Sequence, residues 1–118
     1  MDLTIYHNPR CRKSRETLQI ITDKGIQPTI IEYLKNTPTV AELKSVIDKL
    51  GVKPESLVRR GEKLFKENFK GKELTEQEWL DALVQFPDLI ERPIVIKGER
   101  AVIGRPPENV ESFFKMKN

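Results

Sequence analysis

The sequence contains few residues that bind metals or form disulfides, and it has no long apolar run. Its single cysteine, Cys11, excludes a disulfide within the chain, and a free thiol fits a reducing compartment. One cysteine and one histidine do not make a zinc site. Apolar runs as short as 94–96 do not predict a membrane-spanning helix, and the first three residues lack the basic and apolar regions of a signal peptide. We therefore expect a cytoplasmic protein without a metal site and without a membrane partner.

Internal repeats, a glycine-rich phosphate loop and a dinucleotide fingerprint are also missing, so we expect no bound nucleotide or flavin. The length of 118 residues suits one compact domain. Neither sign of charge dominates, because 21 basic and 18 acidic residues leave a net charge of +3. A nucleic-acid-binding protein normally concentrates more basic charge than this, and we expect no nucleic-acid partner.

The local charge around Cys11 is strongly positive. No acidic residue occurs between His7 and Glu16. The basic residues on either side of the cysteine are Arg10, Arg12, Lys13 and Arg15. This cluster favours an anion near the cysteine.

Strand-like and helix-like patterns alternate along the chain, which indicates an α/β fold. Strands are predicted over 3–6, 28–34, 94–96 and 101–103, the last two joined in a hairpin at Gly98. Helices are predicted over 14–24, from the capping box Thr39–Glu42 to Gly51, from Pro54, from the capping box Thr75–Glu78, and from Pro106–Pro107, the last burying Val110, Phe113 and Phe114. The predicted order is βαβα, further helices, then ββα.

Cys11 lies in the predicted loop between the first strand and the first helix. Backbone N–H groups and the helix dipole both favour an anion at such a position, and a thiolate is an anion. With cations beside it, Cys11 is predicted to be ionised near neutral pH. A lone cysteine is more often a small buried hydrophobic residue, but the polar flanks of Cys11 favour the reactive interpretation.

The segment Tyr6–Arg15, with the sequence YHNPRCRKSR, resembles the active-site loop of the glutaredoxin-dependent arsenate reductase family. Segments 56–60, 91–96 and 103–107 resemble later signatures of that family in the same order, so the resemblance covers essentially the whole chain. It implies a thioredoxin-like mixed four-stranded sheet flanked by helices. It also implies a single domain, 1–118, whose core comprises about 1–51 and 90–118 around a helical insertion at about 52–89. Arg92–Pro93 would form a cis-proline turn facing the cysteine loop.

The resemblance also assigns roles to individual residues. Cys11 corresponds to the nucleophile, and Arg59, Arg92 and Arg105 correspond to arginines that bind the oxyanion. Planar guanidinium groups suit this task because each offers paired donors to a tetrahedral anion and neutralises its charge. An ordinary surface role is the alternative for each arginine, and Arg60 is an alternative to Arg59.

Four more residues of the loop are candidates for supporting roles. His7 corresponds to a position that assists thiolate formation, although a structural hydrogen bond at a strand end is an equal alternative. Asn8, Ser14 and Arg15 are candidates to orient the loop. Turn formation at Asn8 and helix N-capping at Ser14 are the alternatives.

The activity that the resemblance implies is reduction of arsenate to arsenite through a Cys11 thiol-arsenate adduct. Because the chain has no second cysteine, glutathione would act as co-substrate and glutaredoxin would resolve the product, with no bound cofactor. A glutathione-dependent thiol/disulfide oxidoreductase of the same fold is the first alternative. A regulator that binds RNA polymerase is the second, and the serine at position 14 disfavours it, because such regulators often carry a Cys-x-x-Cys pair.

Overall fold

The computed structural model describes residues 2–115 and contains one four-stranded sheet with helices around it. The strands are β1 (Thr4–His7), β2 (Thr29–Glu32), β3 (Ile94–Lys97) and β4 (Arg100–Ile103). The α-helices are α1 (Arg12–Asp23), α2 (Val40–Leu50), α3 (Lys63–Asn68), α4 (Glu76–Gln85) and α5 (Ser112–Lys115), and 3₁₀ helices cover Pro54–Leu57, Pro87–Leu89 and Pro107–Glu111. The predicted α/β class and element order are confirmed.

The sheet is mixed, with the strand order β2-β1-β3-β4. β1 pairs in parallel with β2 and antiparallel with β3, and β3 pairs antiparallel with β4. The predicted hairpin at Gly98 is confirmed, and a φ of +59° there is the left-handed conformation that suits glycine. The mixed sheet flanked by helices confirms the predicted fold class.

The described residues form two compact units, the first comprising residues up to Asn36 and from Arg92 onward, the second Thr37–Glu91. In the first unit, Ile5 of β1 pairs directly with Val95 of β3, and both side chains are fully buried. Ile21 of α1 and Phe113 of α5 join them in the same apolar cluster. This cluster fixes α1 against the sheet and thereby fixes the loop that precedes α1.

The second unit is helical, and two of its helices begin at capping boxes. Thr39 opens α2 and Thr75 opens α4, each accepting a backbone hydrogen bond from a glutamate three residues later. The buried Trp79 of α4 stacks on Phe65 of α3 at 6.4 Å between ring centroids. Both capping boxes are confirmed as predicted. The predicted domain division into a core of 1–51 and 90–118 with an insertion at 52–89 stays a prediction.

Several predicted boundaries differ from the observed ones. The first helix begins at Arg12 instead of position 14, because Cys11 itself is the N-cap residue. Pro54 and Pro107 begin 3₁₀ helices, and a short α-helix, α5, follows only the second. In that C-terminal segment, Phe113 is fully buried as predicted, whereas Phe114 is only half-buried.

Two features are absent from residues 2–115, a membrane-spanning helix and a cluster of metal-ligating side chains. No helix there has the length and apolar character that crossing a bilayer requires. No group of three or more potential metal-ligating side chains occurs in the same part of the chain.

Candidate active site

The cysteine loop connects β1 to α1 and places Cys11 at the N-terminus of the helix. Cys11 has extended backbone angles, with φ of −94° and ψ of 122°, and its carbonyl accepts the N–H of Arg15 at 3.0 Å. Its side chain makes no capping hydrogen bond. The first N–H groups of a helix have no acceptor within the helix, so this position favours a negative charge on Sγ.

The thiol of Cys11 lies beside the guanidinium of Arg105. Arg105 Nη2 is 3.6 Å from Cys11 Sγ, within the distance at which N–H donates to sulfur. Cys11 is 8% exposed, so this contact is partly shielded from water. A cation in this position stabilises a thiolate and remains able to contact an anion that approaches the sulfur.

Arg105 is held in place by the turn that carries Arg92. Arg105 Nε donates to the carbonyl of Arg92 at 3.0 Å, and the Gly104 N–H donates to the carbonyl of Pro93 at 2.8 Å. The Arg92–Pro93 peptide bond is cis, as predicted, and so is Arg105–Pro106. Asn109 Nδ2 donates to the Arg105 carbonyl at 3.0 Å. The guanidinium is therefore directed at Cys11 by the backbone around it.

Gly104 lies at the closest approach between this turn and α1. A Cβ at this position would be 2.5 Å from Thr17 Oγ1 and 2.8 Å from Pro93 Cγ. Thr17 is fully buried, and its hydroxyl donates to the Lys13 carbonyl at 2.9 Å. Only glycine allows the turn that bears Arg105 to approach the helix that bears Cys11 so closely.

His7 and Ser14 form a buried hydrogen-bonded pair beneath the loop. His7 Nδ1 is 2.6 Å from Ser14 Oγ, which also accepts the Asn8 N–H at 3.0 Å. Since Ser14 Oγ already accepts one hydrogen bond, we assign the Ser14 hydroxyl as the donor to His7 Nδ1. This assignment corresponds to a neutral imidazole that carries its proton on Nε2. Ser14 is thus in the first turn of α1, and the N-capping alternative is wrong because Cys11 is the N-cap.

The charge state of His7 follows from its burial. Burial lowers the pKa of His7 from its ordinary value of 6.5, Glu32 opposes this shift, and Arg15 reinforces it. The imidazole is consequently neutral at physiological pH. A neutral imidazole has a nitrogen that can accept a proton, whereas an imidazolium has none, so this charge state is the one that a thiolate-forming base needs.

The remaining loop residues hold the backbone that leads into Cys11. Asn8 Oδ1 accepts the Arg10 N–H at 3.0 Å, and the Asn8 carbonyl accepts the Cys11 N–H at 2.9 Å. Arg15 Nη1 donates to the Pro9 carbonyl at 2.9 Å. Asn8 therefore forms a turn, and Arg15 ties the loop to the helix, which is consistent with the orienting roles predicted for both.

The first unit thus brings Cys11, His7, Ser14 and Arg105 into one site. Residues 6–113 match the profile of the ArsC family. This chain belongs to the ArsC family.

Alignments with similar proteins cover nearly all of this ArsC chain. An arsenate reductase from Haemophilus influenzae is 46% identical over 112 residues, which cover 93% of this chain and 97% of the relative. The protein YfgD of Escherichia coli K12, whose name states no activity, is 44% identical over an alignment that covers 90% of this chain and 91% of YfgD. The solved structure of an arsenate reductase from Vibrio cholerae has a TM-score of 0.91 at 43% identity, with 95% of this chain and 97% of that chain covered. The predicted resemblance to arsenate reductases is confirmed.

The other two candidate arginines of the ArsC chain have different surroundings. Arg92 is half-buried in the first unit and contributes its carbonyl to Arg105. Arg59 belongs to the second unit, where it pairs with Glu62 at 2.8 Å and with Glu91 at 3.6 Å. Oxyanion binding by Arg59, Arg92 and Arg105 stays a prediction.

Arg60 was the alternative to Arg59, and its guanidinium occupies a different position. It lies over the ring of Phe65, 5.3 Å from the centroid. Arg60 is exposed, whereas the Arg59 side chain is 22% exposed. An exposed arginine stacked on a ring is the ordinary surface role, which favours Arg59 as the residue to test.

Sequence reasoning missed Thr17, Gly104 and Asn109. Thr17 and Gly104 pack against each other, and Asn109 donates to the Arg105 carbonyl. Thr17 is a buried polar residue on the sheet-facing side of α1. A polar residue among the apolar positions of a helix is a weak signal for such a contact. Gly104 lies inside a segment that carried the family resemblance, but its packing role depends on Thr17, which is 87 positions away.

Proposed function

We propose that this chain is an oxidoreductase that reduces arsenate to arsenite, with Cys11 as nucleophile and glutathione as co-substrate. The observation that carries the proposal is the contact of 3.6 Å between Arg105 Nη2 and Cys11 Sγ. A guanidinium beside a thiol serves both reactants of the first step, because it stabilises the thiolate and attracts the anion that the thiolate attacks. The names of the arsenate reductases among its relatives support the same substrate.

In the first step, the Cys11 thiolate attacks the arsenic atom of dihydrogen arsenate. An S–As bond forms, one As–O bond breaks, and the departing oxygen leaves as water after taking up one proton. The arsenic stays pentavalent in the thiol-arsenate adduct. Arg105 stabilises the negative charge on the remaining oxygens, and Arg92 and Arg59 are proposed to share this charge.

In the second step, a glutathione thiolate attacks Sγ of Cys11. The S–S bond forms as the S–As bond breaks, and the electron pair of that bond stays on arsenic, which leaves as arsenite. Two thiols are thereby oxidised to a mixed disulfide while arsenic goes from the pentavalent to the trivalent state. Glutaredoxin then attacks the glutathione sulfur and releases the Cys11 thiolate.

His7 and Ser14 are proposed to prepare the nucleophile. A neutral His7 is the base proposed to take up the Cys11 proton, and Ser14 orients the ring by its bond of 2.6 Å to Nδ1. Asn8 and Arg15 keep the loop in the conformation that presents Sγ. The reaction needs a reducing compartment, and the cytoplasm meets this requirement.

Reductant-coupled turnover tests this function. Wild-type protein is incubated with arsenate, glutathione and glutaredoxin, and arsenite is quantified beside Cys11→Ser, which keeps the side-chain size but lacks the nucleophile. We expect cysteine-dependent arsenite production. Replacing glutaredoxin with thioredoxin should stop turnover, and equal rates with both proteins would contradict the proposed reductant.

A thiol/disulfide oxidoreductase is the second candidate function. The side chains of Arg10 and Lys13 are exposed near Cys11, and this charge suits a larger anionic thiol better than a small ion. Reduction of a glutathione mixed disulfide on a small substrate is the measurement for it. Rapid reduction without arsenite production would favour this second function.

A further inference from the structure

A cavity of about 280 Å³ opens beside the cysteine loop in the first unit. Residues 7–10 line one wall, and Glu32, Leu34 and Lys35, at and after the end of β2, line the other. Neither Cys11 nor Arg105 lines this cavity, which is therefore distinct from the thiol–guanidinium pair. Its wall ends at Arg10, one residue before the nucleophile.

The charges of the cavity form a pattern of both signs. Lys35 Nζ is 3.6 Å from Glu32 Oε1, and their side chains are 78% and 38% exposed, so water reaches both ends of the pair. Arg10 contributes a second, exposed cation. Burial lowers the pKa of His7, which keeps the ring on the opposite wall uncharged. Two cations and one carboxylate leave the cavity with a single net positive charge.

We propose that this cavity binds the zwitterionic amino-acid end of a small thiol peptide. The α-carboxylate of the ligand pairs with Arg10 and Lys35, and its α-ammonium pairs with Glu32. The ligand thus replaces the exposed ion pair between Glu32 and Lys35 by ion pairs to its own carboxylate and ammonium groups. Leu34 contacts the aliphatic part of the ligand. This inference rests on the proposed function, in which glutathione is the thiol.

The position of the cavity also fits the proposed reaction. The cavity wall ends at Arg10, and its Cα is about 3.8 Å from that of Cys11 because the two residues are adjacent. In glutathione one γ-peptide bond joins the zwitterionic end to the cysteine, a length on the same scale as this separation. Arg105 contacts Cys11 while the cavity residues do not. Oxyanion and thiol peptide therefore have separate binding groups and can be present together.

Binding of S-methylglutathione to reduced wild-type protein tests the proposal, because this ligand cannot form a disulfide. His7 is the only histidine in the chain and lines the cavity, so its ring signals in a ¹H–¹³C NMR spectrum report binding without overlap. We expect a saturable shift of these signals. Arg10→Ala and Glu32→Gln should each weaken affinity about fivefold, as loss of one charged contact would.

Arg12→Ala is the matched control, since Arg12 also adjoins Cys11 but pairs with Glu16 at 3.2 Å on α1. It should leave the affinity unchanged. Acetylating the α-amino group of S-methylglutathione should weaken binding about fivefold to wild type and have no effect with Glu32→Gln. An Arg12→Ala variant as weak as Arg10→Ala would overturn the site in favour of diffuse attraction, and so would an acetylated ligand that binds wild type equally well.

Failure of this site and failure of the proposed function give different results. Normal arsenite production by Arg10→Ala and Glu32→Gln, at an unchanged KM for glutathione, would reject the cavity and leave the reductase intact. Saturable S-methylglutathione binding with the expected variant effects, but without arsenite production by wild type, would keep the cavity and reject the reductase.

Discussion

The thiol of Cys11 is contacted by Arg105, a residue 94 positions away in sequence. Arg105 is directed at the sulfur by its bond of 3.0 Å to the Arg92 carbonyl. The guanidinium is thus preorganised, as the proposed binding of an oxyanion requires.

Arg105→Ala should lower kcat/KM for arsenate about 100-fold, the usual effect of losing one preorganised donor to a developing charge. It should also slow alkylation of Cys11 by iodoacetamide at pH 7, since the thiolate loses its cation. Arg105→Lys should recover part of both rates, because the charge returns without the paired donors. Arg12→Ala serves as control and should change neither rate, whereas an Arg105→Ala protein with wild-type kinetics would contradict the assigned contact.

His7 gives the protein a pH-dependent term in its stability. Because burial lowers the pKa of His7 below 6.5, the unfolded chain takes up this proton at a higher pH than the folded chain. The contribution of the neutral ring is therefore complete above pH 6.5 and is lost as pH falls from 6.5 to the folded-state pKa. Each unit of difference between the two pKa values corresponds to about 1.4 kcal/mol.

We expect the free energy of unfolding of wild type relative to His7→Gln to decrease between pH 7.5 and pH 5. Denaturant titrations across this range measure it, and the other titrating groups cancel in the difference. A difference that stays constant, or grows at low pH, would mean that the folded protein does not disfavour the charged ring.

Gly104→Ala should destabilise the protein by about 1–3 kcal/mol, the usual range for an overpacked site. Its Cβ would be only 2.5 Å from Thr17 Oγ1, so the turn or the helix must move. Gly61→Ala is the matched control, because a Cβ there meets nothing within 4 Å. Equal stability of both variants in thermal unfolding would argue against the close approach.

At the level of single residues, the sequence identified Cys11 as the candidate nucleophile because its signals are local. Cys11 lies among cations and next to a predicted helix start, and both features are read from adjacent positions. The contact between Thr17 and Gly104 was not predicted, since it joins positions 87 apart and depends on how closely two elements pack. Arg92 and Arg105 became candidates only through the family resemblance.

At the level of elements, α1 has two unusual features at its start. Its N-cap is a cysteine without a capping bond, and no acidic residue occupies its first turn. The common stabilising choices at this position are a serine, threonine or aspartate N-cap and acidic first-turn residues. Their absence leaves the positive end of the helix available to an anion, as the proposed mechanism requires.

α4 represents the opposite case, with a complete capping box. Glu78 N–H donates to Thr75 Oγ1 at 3.1 Å, and Thr75 N–H donates to Glu78 Oε1 at 2.8 Å. Thr75→Ala should therefore lower the free energy of unfolding by about 1 kcal/mol, while Thr75→Ser should keep most of it. Urea titration measures both, and an alanine variant as stable as wild type would show that the cap contributes nothing.

Both capping boxes were predictable because each involves residues only three positions apart. The start of α1 was predicted two residues late, since an N-capping preference points to Ser14 rather than to Cys11. The second strand was predicted over 28–34 but covers Thr29–Glu32, because strand ends depend on pairing with β1. Local patterns thus identified the elements, and tertiary pairing decided where they end.

At the level of the whole molecule, the order β2-β1-β3-β4 places β1 in the interior of the sheet. Spacing along the sequence does not give this order, because β3 pairs with β1 across most of the chain length. The resemblance to arsenate reductases implied a mixed four-stranded sheet, and the structure supplies the strand order. Conserving this topology keeps the end of β1, and therefore the cysteine loop, next to the turns of Arg92 and Arg105 within the first unit.

A single-turnover experiment tests the central claim most directly. Reduced protein is mixed with arsenate and glutathione in the absence of glutaredoxin, and arsenite and the mass of the intact protein are measured together. The account predicts about one arsenite for each chain that carries glutathione on Cys11, and neither product with Cys11→Ser. Arsenite formed by Cys11→Ser, or formed by wild type without a mixed disulfide at Cys11, would contradict it.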